Sequence, residues 1–568
     1  AILADASPPT ILRPEPVAQS PTLASVEAAP WTALSPPVQH GGLGRIEVKA
    51  RTTVAAPTSS APAGAFARVI GRDVGLTTSH GLSVLRAFGP FNGFHAIAAG
   101  DLDDDGRDEV IIGRDFDEGG LTIFRSIGGR FAEWPQDLAL PAQVFVNQVA
   151  LADLDNDGDL DLFVSTFGKG AFIYWNTSGG YSSNNRTQLQ NGLATMVGAA
   201  GFADLDGDGK LDIVLGNWFG GVPIDPNRGL IPEAQRNRIL WNEGDGKFSP
   251  QDLAGLDGET LALLLFDIND DGRIDVLLGN DFHGTDKIYL NEGTRRFRVA
   301  DRRDRLVPWM ARDTMSIDAG DIDNDLKQEI YVGQIAMPSR LKDYRESERP
   351  WRRTCEMGVV DAAIAKSELA ACFRIVRSMN DVLRYGRYGS CSRLSDRDGR
   401  TLCAALAFNW QDRHDGRPDD CDAVPESWPY LRDICRRSTE RREMIPREIR
   451  RLGERFDLIT DRNFLFRFDG AKRVDIGVEA GVSQPGWTWN SKFADFDQDG
   501  LQDLLVLTDQ FTSSKIYRNV GGLKFKDVTQ QYGLTDAIPA TSSVFVDFDG
   551  DGDLDVIRAP SFGFPLIY

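Results

Sequence analysis

The chain has 568 residues but only five histidines, and its six cysteines all fall between Cys355 and Cys435. No Cys-x-x-Cys pair occurs, which excludes a zinc ribbon, a thioredoxin-like motif and a c-type haem attachment. Gly-x-Ser-x-Gly, His-Glu-x-x-His and any clustered His set are likewise missing, so the common hydrolase and zinc-peptidase signatures are absent. No apolar run approaches the roughly 18 residues of a bilayer-spanning helix. Positive charge is also short: the net charge is −21, which argues against nucleic acid as a partner, because phosphate binding needs Lys and Arg in excess.

What the chain does have is acid, in a fixed phrase. Asp153-Leu-Asp-Asn-Asp-Gly-Asp-Leu-Asp161 recurs seven times, starting at residues 101, 153, 204, 267, 321, 495 and 547. The steps are 52, 51, 63, 54, 174 and 52 residues, so one repeat carries an insertion of roughly 120 residues and the others keep step. Numbered within the phrase, positions 1, 3, 5 and 9 of the first copy are Asp101, Asp103, Asp105 and Glu109. The next copies place Asp153, Asp155, Asp157 and Asp161 there, then Asp204, Asp206, Asp208 and Asp212, then Asp267, Asn269, Asp271 and Asp275. The last three place Asp321, Asp323, Asp325 and Glu329, then Asp495, Asp497, Asp499 and Asp503, then Asp547, Asp549, Asp551 and Asp555.

Oxygen donors at these spacings in a tight loop converge on one hard cation, with a position-7 carbonyl to complete the shell, and calcium tolerates such irregular oxygen sets. Gly at position 6 supplies the sharp turn. An EF-hand is excluded, because position 12 is apolar (Val164, Leu215) instead of a bidentate Glu and the flanks read as strands, as in Asp212-Ile-Val-Leu-Gly216. Loop five has Leu326 where the others have Gly, so its turn is expected to be made differently and its affinity to be the weakest. Of the 28 ligand positions 27 are carboxylates. Seven calcium ions would bring the net charge from −21 to about −7.

Residues 1–63 are rich in Pro, Ala, Ser and Thr without periodicity and read as an extended arm, a candidate contact for a partner. Ala1 in place of Met fits a signal peptide already removed. From Phe66 each repeat reads as strand, acidic loop, strand, strand, then a last strand such as Phe525-Lys-Asp-Val-Thr529. Four strands per roughly 52 residues is one propeller blade. The final unit stops at Pro565-Leu-Ile-Tyr568, on its third strand; Phe66–Leu76 is expected to supply the fourth and close the ring. The predicted fold class is all-β: a seven-bladed β-propeller with a mainly helical, disulfide-rich insertion and an extended N-terminal arm. Its parts are the arm (1–63), blades over 64–335, the insert over 336–462 and blades over 463–568.

These Asp-x-Asp-x-Asp-Gly-x-x-Asp loops and their flanking strands resemble the FG-GAP/VCBS repeats of integrin alpha-subunit propellers, over about residues 66–335 and 463–568. The stretches Gly486–Gly500 and Ser514–Thr529 are similar, more closely still, to the bacterial relatives of cartilage acidic protein. The resemblance implies a calcium-stabilised seven-bladed propeller, secreted or periplasmic, used for adhesion or protein contact. Leu326 departs from the family pattern, and the cysteine insert has no counterpart in it.

Cys355, Cys372, Cys391, Cys403, Cys421 and Cys435 are an even set confined to the insert; three disulfides, with 15 connectivities open, and an oxidising compartment are expected. The insert falls in a strand-two to strand-three loop, between Glu329–Gly333 and Asn463–Arg467, and is expected to cap the face opposite the acidic loops. It has four more positive than negative charges, against −25 for the rest, so electrostatic docking on the propeller is expected. Phe91, His95, Trp218, His283, Trp487 and Trp489 are candidates for a ligand surface on that capped face, against the plainer reading that such aromatics pack between blades. His95 and His283 belong to blades one and four, nearly opposite, which disfavours a joint catalytic role. The function read from the residues is a non-enzymatic, calcium-stabilised interaction propeller outside the cytosol, binding a protein or a glycan. The alternatives are a lectin stacking sugars on the Trp-bearing loops, or a carbohydrate-active enzyme using a carboxylate pair.

Overall fold

A computed structural model describes residues 68–78, 96–114, 120–140, 146–166, 170–177, 180–189, 197–218, 236–254, 260–281, 285–311, 313–336, 462–469, 472–508, 513–534, 540–560 and 564–568. It also assigns short strands at Thr32–Ala33, Lys49–Ala50 and Asp457–Leu458. The chain divides between Ser60 and Ala61. In the first unit, Thr32–Ala33 pairs antiparallel with Lys49–Ala50. The expected extended arm otherwise lies outside the described residues, as do the six cysteines and nearly all of the insert.

The second unit contains seven four-stranded antiparallel sheets. Blade one is Ile97–Gly100, Glu109–Gly113, Leu121–Ser126 and Phe131–Glu133. Blade three is Val197–Ala203, Asp212–Asn217, Arg238–Asn242 and Phe248–Asp252, and the others repeat this order. Strand two of each blade is buried along nearly its whole length, as in Glu109–Gly113 and Asp161–Thr166. It therefore reads as a continuous apolar run with no polar alternation, because both of its faces meet a neighbouring blade. In blade five the third strand, Phe464–Asp469, pairs with Glu329–Gln334 across the insertion. Blade seven takes its fourth strand from the other end of the chain: Val69–Ile70 pairs with Leu566–Ile567. That pairing leaves no blade one strand short at the seam.

Among the described residues, seven hydrophobic clusters hold the ring, one at each joint between blades. The seam joins Ile97, Val110, Ile112 and Phe124 of blade one to Val546, Ile557 and Ile567 of blade seven. Opposite it, Ile330, Val332, Phe464 and Phe466 of blade five pack on Leu277, Ile288 and Leu290 of blade four. Strand one of every blade lies against strand one of the next, which places the first strands innermost. In six blades strand one carries a bulge after its first residue, at Asn147, Gly198, Leu261, Met315, Trp489 and Thr541. Bulges re-aim side chains, and these six sit at the end of the innermost strands away from the acidic loops.

On that same end a glycine on strand two admits the next blade's threonine. A Cβ at Gly216, Gly279 or Gly333 would come within 2.5 Å of Cγ2 of Thr260, Thr314 or Thr488. The threonine hydroxyls are bound by the residue before strand three: Asn237 Nδ2 donates to Thr260 at 2.9 Å, and Asn463 Nδ2 to Thr488 at 2.7 Å. At the third joint the direction reverses, and Thr314 donates to Asp286 Oδ2 at 2.9 Å. Burial pushes the Asp286 carboxyl up to about 8.

Candidate cation loops

Each acidic phrase joins strand one to strand two of its blade. The position-1 carboxylate folds the loop by accepting two amides: in loop one, Asp101 Oδ1 takes Asp105 N at 3.1 Å and Oδ2 takes Gly106 N at 2.8 Å. Loops two, four and six repeat this pair. The position-5 carboxylate accepts the position-7 amide, as Asp105 does from Arg107 at 3.0 Å. The position-9 carboxylate, at the first residue of strand two, accepts the position-2 amide in all seven loops, from 2.9 Å at Leu102 to 3.2 Å at Phe496. Position 6 is left-handed throughout, as at Gly106 (φ 83°) and Gly158 (φ 96°). Leu326 adopts it too, with φ 68° and its side chain 94% exposed. The expectation that loop five turns differently is thus corrected: Asp321 takes the amides of Asp325 and Leu326 at 3.0 Å each, and two caps hold a leucine where glycine is cheaper.

These loops gather more carboxylates than their ion pairs offset: in loop one Arg107 pairs with Asp105 and Arg125 with Asp103, while Asp101 and Glu109 have no ion pair among the described residues. In loops one, two, three and six, oxygens of positions 1, 3 and 9 lie within 4.8 Å of one another, and in loop five those of Asp321, Asp323 and Asp325 do. Burial raises the position-9 carboxyls: Glu109, Asp161, Asp275, Glu329, Asp503 and Asp555 to about 7, and Asp212 to about 6. Their amide hydrogen bonds oppose this and lose. Five carboxylate oxygens of these loops are buried with no hydrogen-bond partner: Asp103 Oδ1, Glu109 Oε1, Asp323 Oδ1, Glu329 Oε1 and Asp497 Oδ1. A buried, unpartnered carboxylate oxygen is costly. A bound divalent cation satisfies such a group, so these donor sets fit a hard cation.

The structure adds residues that spacing did not reveal. Asn242, Asn291 and Asn519 end strand three of blades three, four and six, and Asn176 follows strand three of blade two by two residues. Asn242 Nδ2 donates to Leu154 O of the preceding loop at 2.8 Å and to Leu211 O of its own at 3.1 Å, while its Oδ1 accepts Gly244 N at 3.0 Å. Asn176, Asn291 and Asn519 make the same bonds to Leu102, Leu205 and Ile322. Between blades four and five the clip is an arginine: Arg473 Nη1 donates to Gln328 O at 2.9 Å, and its guanidinium lies over Phe266 of blade four. The signal was present in phrases such as Ile-Tyr-Leu-Asn291, but a single Asn at a strand end has no meaning until its cross-blade partner is known.

The candidate surface at the other end resolves only partly. Trp218 is buried, its Nε1 3.4 Å from Asp281 Oδ2 in blade four, and so packs between blades. Trp487 and Trp489 are half-buried and stacked, with centroids 5.7 Å apart, and Trp487 bridges to Ile335 at the root of the insert. Phe91, His95 and His283 lie outside the described residues.

Seven radial four-stranded sheets, joined at strand one and closed by strand exchange between the two ends, define a seven-bladed β-propeller. The FG-GAP-like repeat family matches at residues 101–164, 153–215, 267–332 and 495–557, each match spanning two successive acidic loops. The seven-bladed propeller therefore carries FG-GAP-like repeats over these residues. No curated protein matches it. Among solved structures, it is similar to BBS1N in a crystal structure of its complex with ARL6DN, soaked with mercury. That match has a TM-score of 0.40 and 10% identity over 89% of this chain and 95% of that one. It is also similar to the Dos1 propeller, at TM-score 0.27 and 12% identity over 40% of this chain and 50% of that one.

Proposed function

We propose that this chain is an extracytoplasmic interaction propeller whose acidic loops take calcium as a structural ion, leaving the opposite face to bind a protein partner. The observation carrying this reading is the set of buried, unpartnered oxygens of Asp103, Glu109, Asp323, Glu329 and Asp497 inside loops that are already folded by their own amides. The residues fit oxygen-only coordination, with positions 1, 3 and 9 as the core donors. A bound divalent ion supplies charge neutralisation there, not chemistry on a substrate. The chain's own part is to fix the loop by Asx turns, to bury the position-9 carboxylate at the start of strand two, and to tie adjacent loops through the strand-three asparagines. FG-GAP-like propellers serve as protein-contact or adhesion modules, which supports the binding role. The test is thermal unfolding of the chelator-stripped protein against added calcium: the midpoint should rise and then saturate, as expected for a ligand that binds the native state. An unchanged midpoint at millimolar calcium removes the structural-ion role.

The stacked Trp487 and Trp489 favour a second reading, a lectin or carbohydrate-active surface, since sugars stack on such platforms. Glycan-array binding that is lost in Trp489→Ala would establish it over protein contact.

A further inference from the structure

At one position of strand three, the residue following the one that pairs with the second residue of strand two, blades one, five and six carry Arg125, Arg467 and Arg518. Blades two, three and four carry Trp175, Trp241 and Leu290 at the same register. Each arginine reaches the position-3 carboxylate of its own loop. Arg125 Nη2 lies 2.6 Å from Asp103 Oδ2, Arg467 Nη2 lies 3.3 Å from Asp323 Oδ2, and Arg518 Nε pairs with Asp497 Oδ2. In all three the other oxygen, Oδ1, is the buried unpartnered one. In loops three and four the position-3 oxygen is instead tied back to the loop: Asp206 Oδ1 accepts Asp208 N at 3.2 Å, and Asn269 Oδ1 accepts Asp271 N at 3.1 Å. Loops three and four carry cations as well: Arg295 from blade four lies 2.7 Å from Asp206 and 2.6 Å from Glu243, Lys210 pairs with Asp208, and Arg273 lies 2.5 Å from Asp271. Among the described residues, only loops two and seven have no ion pair on any of their ligand carboxylates.

We propose that Arg125, Arg467 and Arg518 are positioning residues that lower the cation affinity of loops one, five and six, so that these fill after loops two and seven. The inference rests on the calcium reading above. With Oδ2 taken by the arginine, Oδ1 is the oxygen left to coordinate, but the arginine also places a full positive charge one carboxylate away from a divalent ion. Like charges at that separation repel even in a high-dielectric setting, enough for about a tenfold loss of affinity. The orientation it provides can be kept by a neutral donor. Repulsion is therefore the larger effect.

The test is a calcium isotherm by titration calorimetry on the full chain, wild type against Arg125→Gln, Arg467→Gln and Arg518→Gln, singly and combined. Glutamine keeps an amide donor for Oδ2 and removes the charge. Wild type should show a tight and a weak class. Each single variant should move one ion from the weak class to the tight class, with affinity up about tenfold, and Arg518→Lys should leave the weak class in place. A purely structural arginine predicts the reverse, weaker binding on loss of the side chain. A single-class wild-type isotherm, or glutamine variants that bind no tighter, overturns the inference while leaving calcium binding intact. If the wild type binds no calcium at all, the reading of the loops fails first. Should the combined variant not fold, the three single variants decide the question.

Discussion

Replacing Asn242 by Ala tests how the loops are joined. The side chain is buried, and its three hydrogen bonds link Leu154 O of loop two, Leu211 O of loop three and Gly244 N. Truncation leaves two carbonyls and one amide without these partners in a site closed to solvent. A buried hydrogen bond contributes on the order of 1 kcal/mol net, and groups left unsatisfied cost somewhat more. The expected loss is therefore about 3 kcal/mol. Asn242→Asp should cost more, because it sets a carboxylate against two carbonyl oxygens. The assay is equilibrium urea unfolding in saturating calcium, with Gln498→Ala as control. Gln498 also joins neighbouring loops, donating to Gly552 O at 2.9 Å, but it does so in solvent, and its loss should stay within about 0.5 kcal/mol. If Asn242→Ala costs no more than the Gln498 control, the strand-three asparagines are not the ties between loops, and packing alone holds the joints.

Two further outcomes test the opposite end of the blades. Gly216→Ala drives a methyl to 2.5 Å from Thr260 Cγ2 and should destabilise by about 1–3 kcal/mol; Thr260→Ser removes that methyl and keeps the hydroxyl, so the double variant should recover most of the loss in a double-mutant cycle. For Asp286 the sign follows from a folded pKa of about 8 against an ordinary value of 3.8. The stability of the neutral form is fully present below about pH 4 and is lost as pH rises through about 8. Asp286→Asn should abolish that slope and gain a few kcal/mol at pH 8 in unfolding experiments run from pH 4 to 9. A wild type and variant with parallel profiles would show that Asp286 is charged in the fold.

Repeat number, blade number and the seam were all legible in the residues, because the phrase recurs at a near-constant step and an apolar stretch near Val69, ahead of the first acidic loop, has the pattern of a last strand. Leu326 was misread for a local reason: glycine preference at a left-handed position is a statement about cost, and the two amide caps on Asp321 outweigh that cost. Trp218 was ambiguous because an aromatic beside a strand end serves an interface or a ligand equally well until its neighbour is known.

By itself, the sequence determined the acidic loops, their number and their blade order, since those depend on spacings of a few residues along one chain. Only the tertiary structure decided which groups stand around each loop. Arg125, Arg467, Arg518 and the clip residues Asn176, Asn242, Asn291, Asn519 and Arg473 act on carboxylates and carbonyls from 16 to more than 190 residues away in the chain. The physical reason is the architecture. A propeller blade brings strand three back beside its own loop and stacks successive sheets face to face, so the groups around a loop come from a later strand of its own blade or from a neighbouring blade, and no local periodicity encodes those meetings.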